Sequence, residues 1–284
     1  MKFWIVGKDG LVGKELTHYF EENQIPYVAS SHQEADILNK DELSYFFHIH
    51  HPTHIINAAA YTNVDDAEDI GRDLNYKINC EGPKNLRDLS QREDIRLIHI
   101  STDYVFDGEK EDDYDENDIT NPINEYGRAK LLGEIEVLKY KKSVSIRTAS
   151  LYGCYKNGIV SSMIDHIKNS EEVSHFVDQI STPTNTKDLC SAIYDLKDES
   201  GVFHFVNEGS VSRYGLMLHL YELALEYKWN VKCQKVVAKS QKDAKRKAIR
   251  PQRSVLSTKK FKSYLNKPIR TWQEAVREYF KSVC

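Results

Sequence analysis

Three glycines spaced by three, Gly7, Gly10 and Gly13 in "VGKDGLVG", follow the apolar run "KFWIV" and lead into "LVGKELTHYFEE". The run reads as a strand. Leu11, Val12, Leu16, Tyr19 and Phe20 have the spacing of one helix face. A strand that turns into a helix through glycines restricts the fold sharply. Glycines let the backbone turn tightly and approach a pyrophosphate, which then sits on the N-terminus of the helix. The spacing has one loop residue more than G-x-G-x-x-G, and glycines also serve ordinary turns, so the context must decide.

The context is a continued alternation. "PYVAS" reads as a second strand, "DELSYFFHIH" as a helix and "HIINAAA" as a third strand. "GRDLNYKINCEGPKNLRDLSQ" reads as one long helical stretch, "IRLIHIS" as a strand and "VSIRTASLY" as another. Strands alternating with helices predict βαβ units and a parallel sheet covered on both faces. The later part is less regular, with helices expected at 159–169, 187–196, 215–227 and 271–281 and a strand at "VFHFV". The character changes near residue 150. The expected division is a dinucleotide-binding part over 1–150, to which some later segments return, and a mainly substrate-binding part over 151–284.

A net charge of -4 excludes a whole-molecule field for nucleic acid or anionic membrane. No apolar run approaches the ~20 residues that span a bilayer, and the first residues have too short an apolar part for a signal peptide. Cys80, Cys154, Cys190, Cys233 and Cys284 form no C-x-x-C pair, so neither zinc nor a disulfide framework is indicated. A reducing cytoplasm is the expected location.

In parallel sheets, ligands bind beyond the carboxyl ends of the strands. The third strand ends in "NAAAY", where Ala58, Ala59 and Ala60 let a flat cofactor approach the backbone. The fourth ends in "STDYVFDG", which brings Ser101 and Thr102 to the same ligand. "NEYGRAKLLGE" then places Tyr126 and Lys130 four apart on one helix face. An ammonium beside a phenol is expected to lower a pKa that is ~10 in water. Such a tyrosine can protonate a carbonyl oxygen as hydride reaches its carbon, with Thr102 or Ser101 orienting that oxygen. Y-x-x-x-K alone is common by chance; its order and spacing after the glycine loop and "STDYVF" give it meaning.

With these motifs in place, the chain resembles the extended short-chain dehydrogenase/reductases, and more closely the dTDP-4-dehydrorhamnose reductase family. The matching stretches include "GKDGLVGKEL", "IINAAAYTNVDDAE", "ISTDYVFDGE", "NPINEYGRAKLLGE", "VDQISTPTNTKDL" and "IRPQRSVLSTKKF". The resemblance implies an α/β fold, a Rossmann-type doubly wound parallel sheet with a smaller C-terminal α/β substrate-binding domain. It implies reduction of the 4-keto group of a nucleotide-linked deoxysugar, dTDP-4-dehydrorhamnose to dTDP-L-rhamnose, by NADPH or NADH, for cell-surface polysaccharide. Thr102, Tyr126 and Lys130 become the catalytic trio, with Lys130 also holding the nicotinamide ribose. Gly7, Gly10, Leu11, Val12 and Gly13 form the pyrophosphate loop, and Ala58 to Tyr61 lies along the cofactor with Ser101. Thr102, Asp103, Ser150 and Arg250 face the nucleotide sugar, with Arg253 a further candidate for the diphosphate. Ser31 and His32 stand at the end of the second strand, where no acid occurs before Glu34; this favours NADPH. The resemblance also leaves magnesium and a homodimer open, although no carboxylate cluster marks a metal site by spacing.

One departure bears on the sugar. The family often has tryptophan in "RT-x-W-x-Y", where "RTASLY" gives Ser150. Other sugar nucleotides therefore stay open, as do an epimerase or dehydratase and a non-catalytic subunit resembling the regulatory subunit of methionine adenosyltransferase. A dehydratase would be expected to carry an acidic pair after the threonine, where this chain has Asp103-Tyr104. Three further features read as surface. The histidines of "HIHHPTH" (His48, His50, His51, His54) read as a solvated tract rather than a metal site. The basic run "KSQKDAKRKAIRPQR" lacks interleaved aromatics for nucleic acid. The acidic loop Glu109 to Asp118 reads as solvated.

Overall fold

The structure, a computed structural model, describes residues 1–155 and 158–282. Its elements run β1 (Phe3–Val6), α1 (Leu11–Glu22), β2 (Tyr27–Ser30), α2 (Lys40–His50), β3 (His54–Asn57), α3 (Arg72–Tyr76), α4 (Gly82–Arg92), β4 (Arg96–Thr102), α5 (Glu125–Leu138) and β5 (Ser143–Thr148). They continue with β6 (Leu151–Tyr152), α6 (Ile159–Asn169), β7 (Glu172–Phe176), β8 (Ile180–Ser181), β9 (Thr184–Asn185), α7 (Thr186–Asp195), β10 (Gly201–His204), β11 (Val211–Ser212), α8 (Arg213–Glu226), β12 (Lys235–Lys239), α9 (Lys259–Leu265) and α10 (Trp272–Ser282).

Six strands form one sheet in the order β10-β5-β4-β3-β1-β2, and every pairing in it is parallel. The order reverses between β1 and β3, which opens a crevice at their carboxyl ends. Alternation along β1 explains the double cover. Phe3 and Ile5 face Leu16 and Phe20 of α1 and Leu189 and Ile193 of α7. Trp4 and Val6 face Leu43 and Phe47 of α2 and Leu86 and Leu89 of α4. A separate core joins α6, α8 and α10 through Met163, Ile167, Leu216, Leu220, Trp272 and Phe280. Segments beyond residue 150 rejoin the large sheet: β10 pairs with β5, and α7 packs on α1.

Two expected elements are interrupted. The stretch "VSIRTASLY" is two strands, β5 and β6, because Ser150 adopts φ +48° between them. The long helix after Gly71 is broken by a π turn over Lys77–Glu81. There Asn79 leaves the plain helical pattern: its side chain brackets Tyr61, donating to the Tyr61 carbonyl (2.9 Å) and accepting from the Tyr61 amide (3.1 Å). The strands β7 and β12, which pair in parallel, were not expected from periodicity. No helix among the described residues is long and apolar enough to cross a membrane.

Candidate active site

The carboxyl ends of β1, β3, β4 and β5 open on two cavities that share Gly10, Ala58 and Ala60. One, of about 540 Å³, runs past Gly7, Ser31, His32, Ile37 and Ala59. The other, of about 380 Å³, holds Leu11, Val12, Ser101, Thr102, Asp103, Tyr126, Lys130 and Ser150. Together they form a trough over the glycine loop at the carboxyl ends of the strands, where doubly wound sheets bind dinucleotides. Gly13 lies below it rather than in its wall: a Cβ there would meet the Gly7 carbonyl oxygen at 2.1 Å. The loop packs against α1 only if that position has no side chain. The buried hydroxyls of Ser101 and Thr148 have no hydrogen-bond partner, and both line the second cavity. Unsatisfied buried hydroxyls facing a cavity suit a polar ligand. Thr148 escaped the sequence reading because a threonine at a strand end carries no motif.

Helix α5 brings Tyr126 and Lys130 to this cavity. Asn124 caps it, accepting from the Gly127 amide at 2.8 Å, and a Cβ on Gly127 would lie 2.2 Å from the Tyr104 carbonyl oxygen. The glycine after Tyr126 thus lets the helix start lie directly on the "STDYVF" turn. The Thr102 hydroxyl reaches both Tyr126 and Asp103 Oδ1 (3.1 Å). Lys130 is buried and donates from Nζ to the Ile100 carbonyl at 2.6 Å. Burial brings its pKa down to about 8.

One electrostatic expectation is reversed. The Tyr126 hydroxyl has a pKa raised, not lowered, because burial of a phenolate outweighs the help from Thr102. The charges of Asp103 and Tyr104 push in the same direction. Asp103 is itself buried, and desolvation lifts it to about 6 against the hydrogen bonds from Ser254 and Thr102 and the charge of Arg213.

Other expected residues are placed differently. Tyr61 lines neither cavity; its hydroxyl packs over Gly71, where a Cβ would come within 2.1 Å. Ser31 lies in the trough, but its amide and hydroxyl both donate to Glu34 Oε2, at 2.7 and 2.8 Å. Lys8 sits 2.6 Å from the same carboxylate and, with Ser31, holds Glu34 down at about 2. Both Ser31 donors are therefore already engaged, while His32 lines the cavity.

Arg250 lines a third cavity, of about 470 Å³, with Lys242 and Arg246. Its Nη1 and Nη2 donate to Asp65 Oδ1 and Oδ2 at 2.9 and 2.7 Å, which holds Asp65 down at about 2. Arg253 turns away from that cavity, to the Glu111 carbonyl and Asp113, both at 2.6 Å. This corrects the reading of the acidic loop as merely solvated. Tyr114 of that loop is buried and stacks on Phe106, and Glu116 accepts from the His204 amide. The histidine tract also diverges. His54 is buried beside Phe3, while His51 is exposed and ends α2 with φ +47°. Among the described residues no three His, Cys, Asp or Glu side chains converge on a metal-sized site.

Ser150 lines the same cavity as Tyr126, but its side chain is tied into a polar cluster. Its hydroxyl bonds Ser181 Oγ at 2.7 Å and accepts from Arg213 Nη2 at 3.0 Å. Tyr152, two residues on, is buried against Tyr279. Ser150→Trp should therefore displace a packed polar cluster rather than fill a gap. Overpacking costs about 1–3 kcal/mol, and falling on the wall of the reaction cavity it should lower kcat/KM by about five- to 150-fold. Steady-state kinetics on two sugar nucleotides check it; improved efficiency would mean that the space is vacant.

The chain is similar to known proteins along its whole length. The model of the RmlD substrate binding domain matches residues 1–284. A dTDP-4-dehydrorhamnose reductase from Aggregatibacter actinomycetemcomitans is 32% identical over 283 residues, covering 96% of each chain. A probable dTDP-4,6-dihydroxy-2-methyloxan-3-one 4-ketoreductase from Streptomyces antibioticus is 32% identical over 288 residues, covering 100% of this chain and 96% of that one. The solved structure of dTDP-4-dehydrorhamnose reductase from Bacillus anthracis, in complex with NADP, superimposes with a TM-score of 0.92 at 33% identity, covering 99% of both chains.

Proposed function

The chain belongs to the RmlD substrate binding domain family, and on that footing we propose that it is a nicotinamide-dependent reductase of the 4-keto group of a dTDP-linked deoxysugar, dTDP-4-dehydrorhamnose first. The observation that carries this reading is the single cavity that joins Gly10 and Ala60 to Thr102, Tyr126 and Lys130. The test is consumption of NADPH with dTDP-4-dehydrorhamnose, set against UDP- and GDP-linked 4-keto sugars. No consumption with any of them would overturn the proposal.

The bound nicotinamide supplies the hydride. The residues of the chain manage the oxygen. As the new C–H bond forms, the carbonyl π pair moves onto oxygen, and the Tyr126 hydroxyl gives that oxygen its proton. The raised pKa keeps Tyr126 protonated before the step, as an acid requires. The Lys130 ammonium, one turn along α5, steadies the phenolate that remains. Thr102 fixes the oxygen's position. A general acid of matched geometry accelerates typically about 100- to 10,000-fold. We read residues 1–150, with α7 and β10, as the cofactor lobe and the core of α6, α8 and α10 as the base of the substrate lobe. Lys242, Arg246 and Arg250 are assigned to the diphosphate, for which the phosphate must compete with Asp65 over Arg250.

NADPH is proposed as the preferred cofactor, with Glu34 as its opponent. A 2′-phosphate at Ser31 must displace the Glu34 carboxylate and inherit Lys8. Glu34→Gln should tighten NADPH about three- to tenfold relative to NADH, an effect of the size expected for one exposed charge and reduced by salt. Titration of both cofactors by protein fluorescence checks it; an unchanged ratio of dissociation constants would remove Glu34 from cofactor choice.

A further inference from the structure

Thr102 has one hydroxyl proton and too many claims on it. It accepts from the Tyr104 amide at 3.2 Å, reaches Tyr126, and donates to Asp103 Oδ1 at 3.1 Å. A proton given to Asp103 is not available to a substrate oxygen. The other carboxylate oxygen is already fixed, because Ser254 Oγ donates to Asp103 Oδ2 at 2.5 Å. A proton added to Asp103 is therefore directed to Oδ1, the oxygen that faces Thr102. The bond between Asp103 and Thr102 then reverses: the carboxylic acid donates, the threonine oxygen accepts, and the threonine proton turns to the cavity.

We propose that Asp103, held by Ser254, is a positioning residue that sets the direction of the Thr102 hydrogen bond, so that the keto oxygen is gripped only when Asp103 carries a proton. The inference rests on the reductase reading. No proton is consumed at Asp103 in turnover; it is a fixed orienting group, and the transferred proton still comes from Tyr126. Sequence motifs do not contain this device, since Ser254 lies 151 residues from Asp103.

The groups around Asp103 define how it can be measured. Arg213 at the start of α8 opposes its protonation, Tyr104 and Tyr126 feel its charge, and Arg246 and Arg250 face Tyr104. Burial nevertheless leaves Asp103 titrating at about 6. Lys130 shares the cavity but titrates near 8, at a separate step.

The test is the pH profile of kcat for NADPH oxidation with a 4-keto dTDP-sugar. In the wild type kcat should fall as pH rises, approaching about tenfold per unit above the Asp103 titration. Asp103→Asn keeps an acceptor for Ser254 and presents a permanent donor to Thr102, so this limb should vanish while any limb from Lys130 remains. Ser254→Ala removes a bond that favours the carboxylate, so its limb should move to higher pH. That shift is readable even if Asp103→Asn fails to fold, which NADPH binding would reveal. An unchanged limb in folded Asp103→Asn, or an unshifted one in Ser254→Ala, overturns the inference while leaving the reductase reading intact. A wild-type protein that oxidises no NADPH at any pH overturns both.

Discussion

Tyr126→Phe is expected to lower kcat by about 100- to 10,000-fold while leaving the NADPH dissociation constant within about twofold. The substitution removes one oxygen and keeps the ring. The ring has its own packing role, edge-on against Tyr104 at 5.9 Å between centroids, so the wall of the cavity survives. What is lost is the phenol proton that, among the described residues, lies within reach of Thr102 in the second cavity. Because Lys130 stays in place on α5, cofactor affinity should not follow. Stopped-flow turnover alongside equilibrium binding separates the two effects. Turnover within about twofold of wild type would mean that the proton comes from elsewhere.

The second large effect lies one turn beyond Lys130. Glu134 and Arg147 are both buried, and Arg147 donates from Nη2 to Glu134 Oε1 at 2.6 Å and from Nε to both carboxylate oxygens. Ser145 donates to the same carboxylate, and the guanidinium lies over the Phe106 ring at 5.1 Å. This cluster ties α5 to β5 and so fixes the helix that presents Tyr126 and Lys130. Glu134→Ala leaves a guanidinium charge buried without its partner. Breaking a buried pair from one side costs about 3–5 kcal/mol, which for a chain of this size lowers Tm by roughly 5–8 °C. Calorimetry checks it. Replacing both partners with apolar residues should recover much of the loss, since the penalty comes from the stranded charge and not from the missing bond alone.

The parts legible in the sequence were those governed by local chemistry. The glycine loop sits where a strand must become a helix, the strand periods of "KFWIV" and "IRLIHIS" follow burial on two faces, and Tyr126 and Lys130 obey helix spacing. All of these lie within a few residues of their cause. The parts that escaped depend on distant partners. Arg250 reads as a contact for the nucleotide sugar until Asp65, far back in the chain, takes both its terminal nitrogens. The Tyr126 hydroxyl reads as activated by its neighbour four residues on, whereas burial by the surrounding fold dominates its proton affinity. Ser31 reads as an open phosphate donor until Glu34 folds back over it. Ser150 reads as a lost aromatic wall that leaves the sugar open, and only the fold reveals its hydroxyl bonded to Ser181 and Arg213. Burial and competition for a shared partner are three-dimensional quantities, and no spacing rule encodes them.

The most direct test follows the hydride. With NADPH deuterated at the transferable position of the nicotinamide and dTDP-4-dehydrorhamnose as substrate, a 4-keto reductase should leave one deuterium at sugar C4 for each NADPH oxidised, seen by proton NMR of the product. Tyr126→Phe should slow that transfer without changing where the label goes. Sugar epimerised or dehydrated with no net loss of NADPH, or product without deuterium at C4, would contradict a 4-keto reductase.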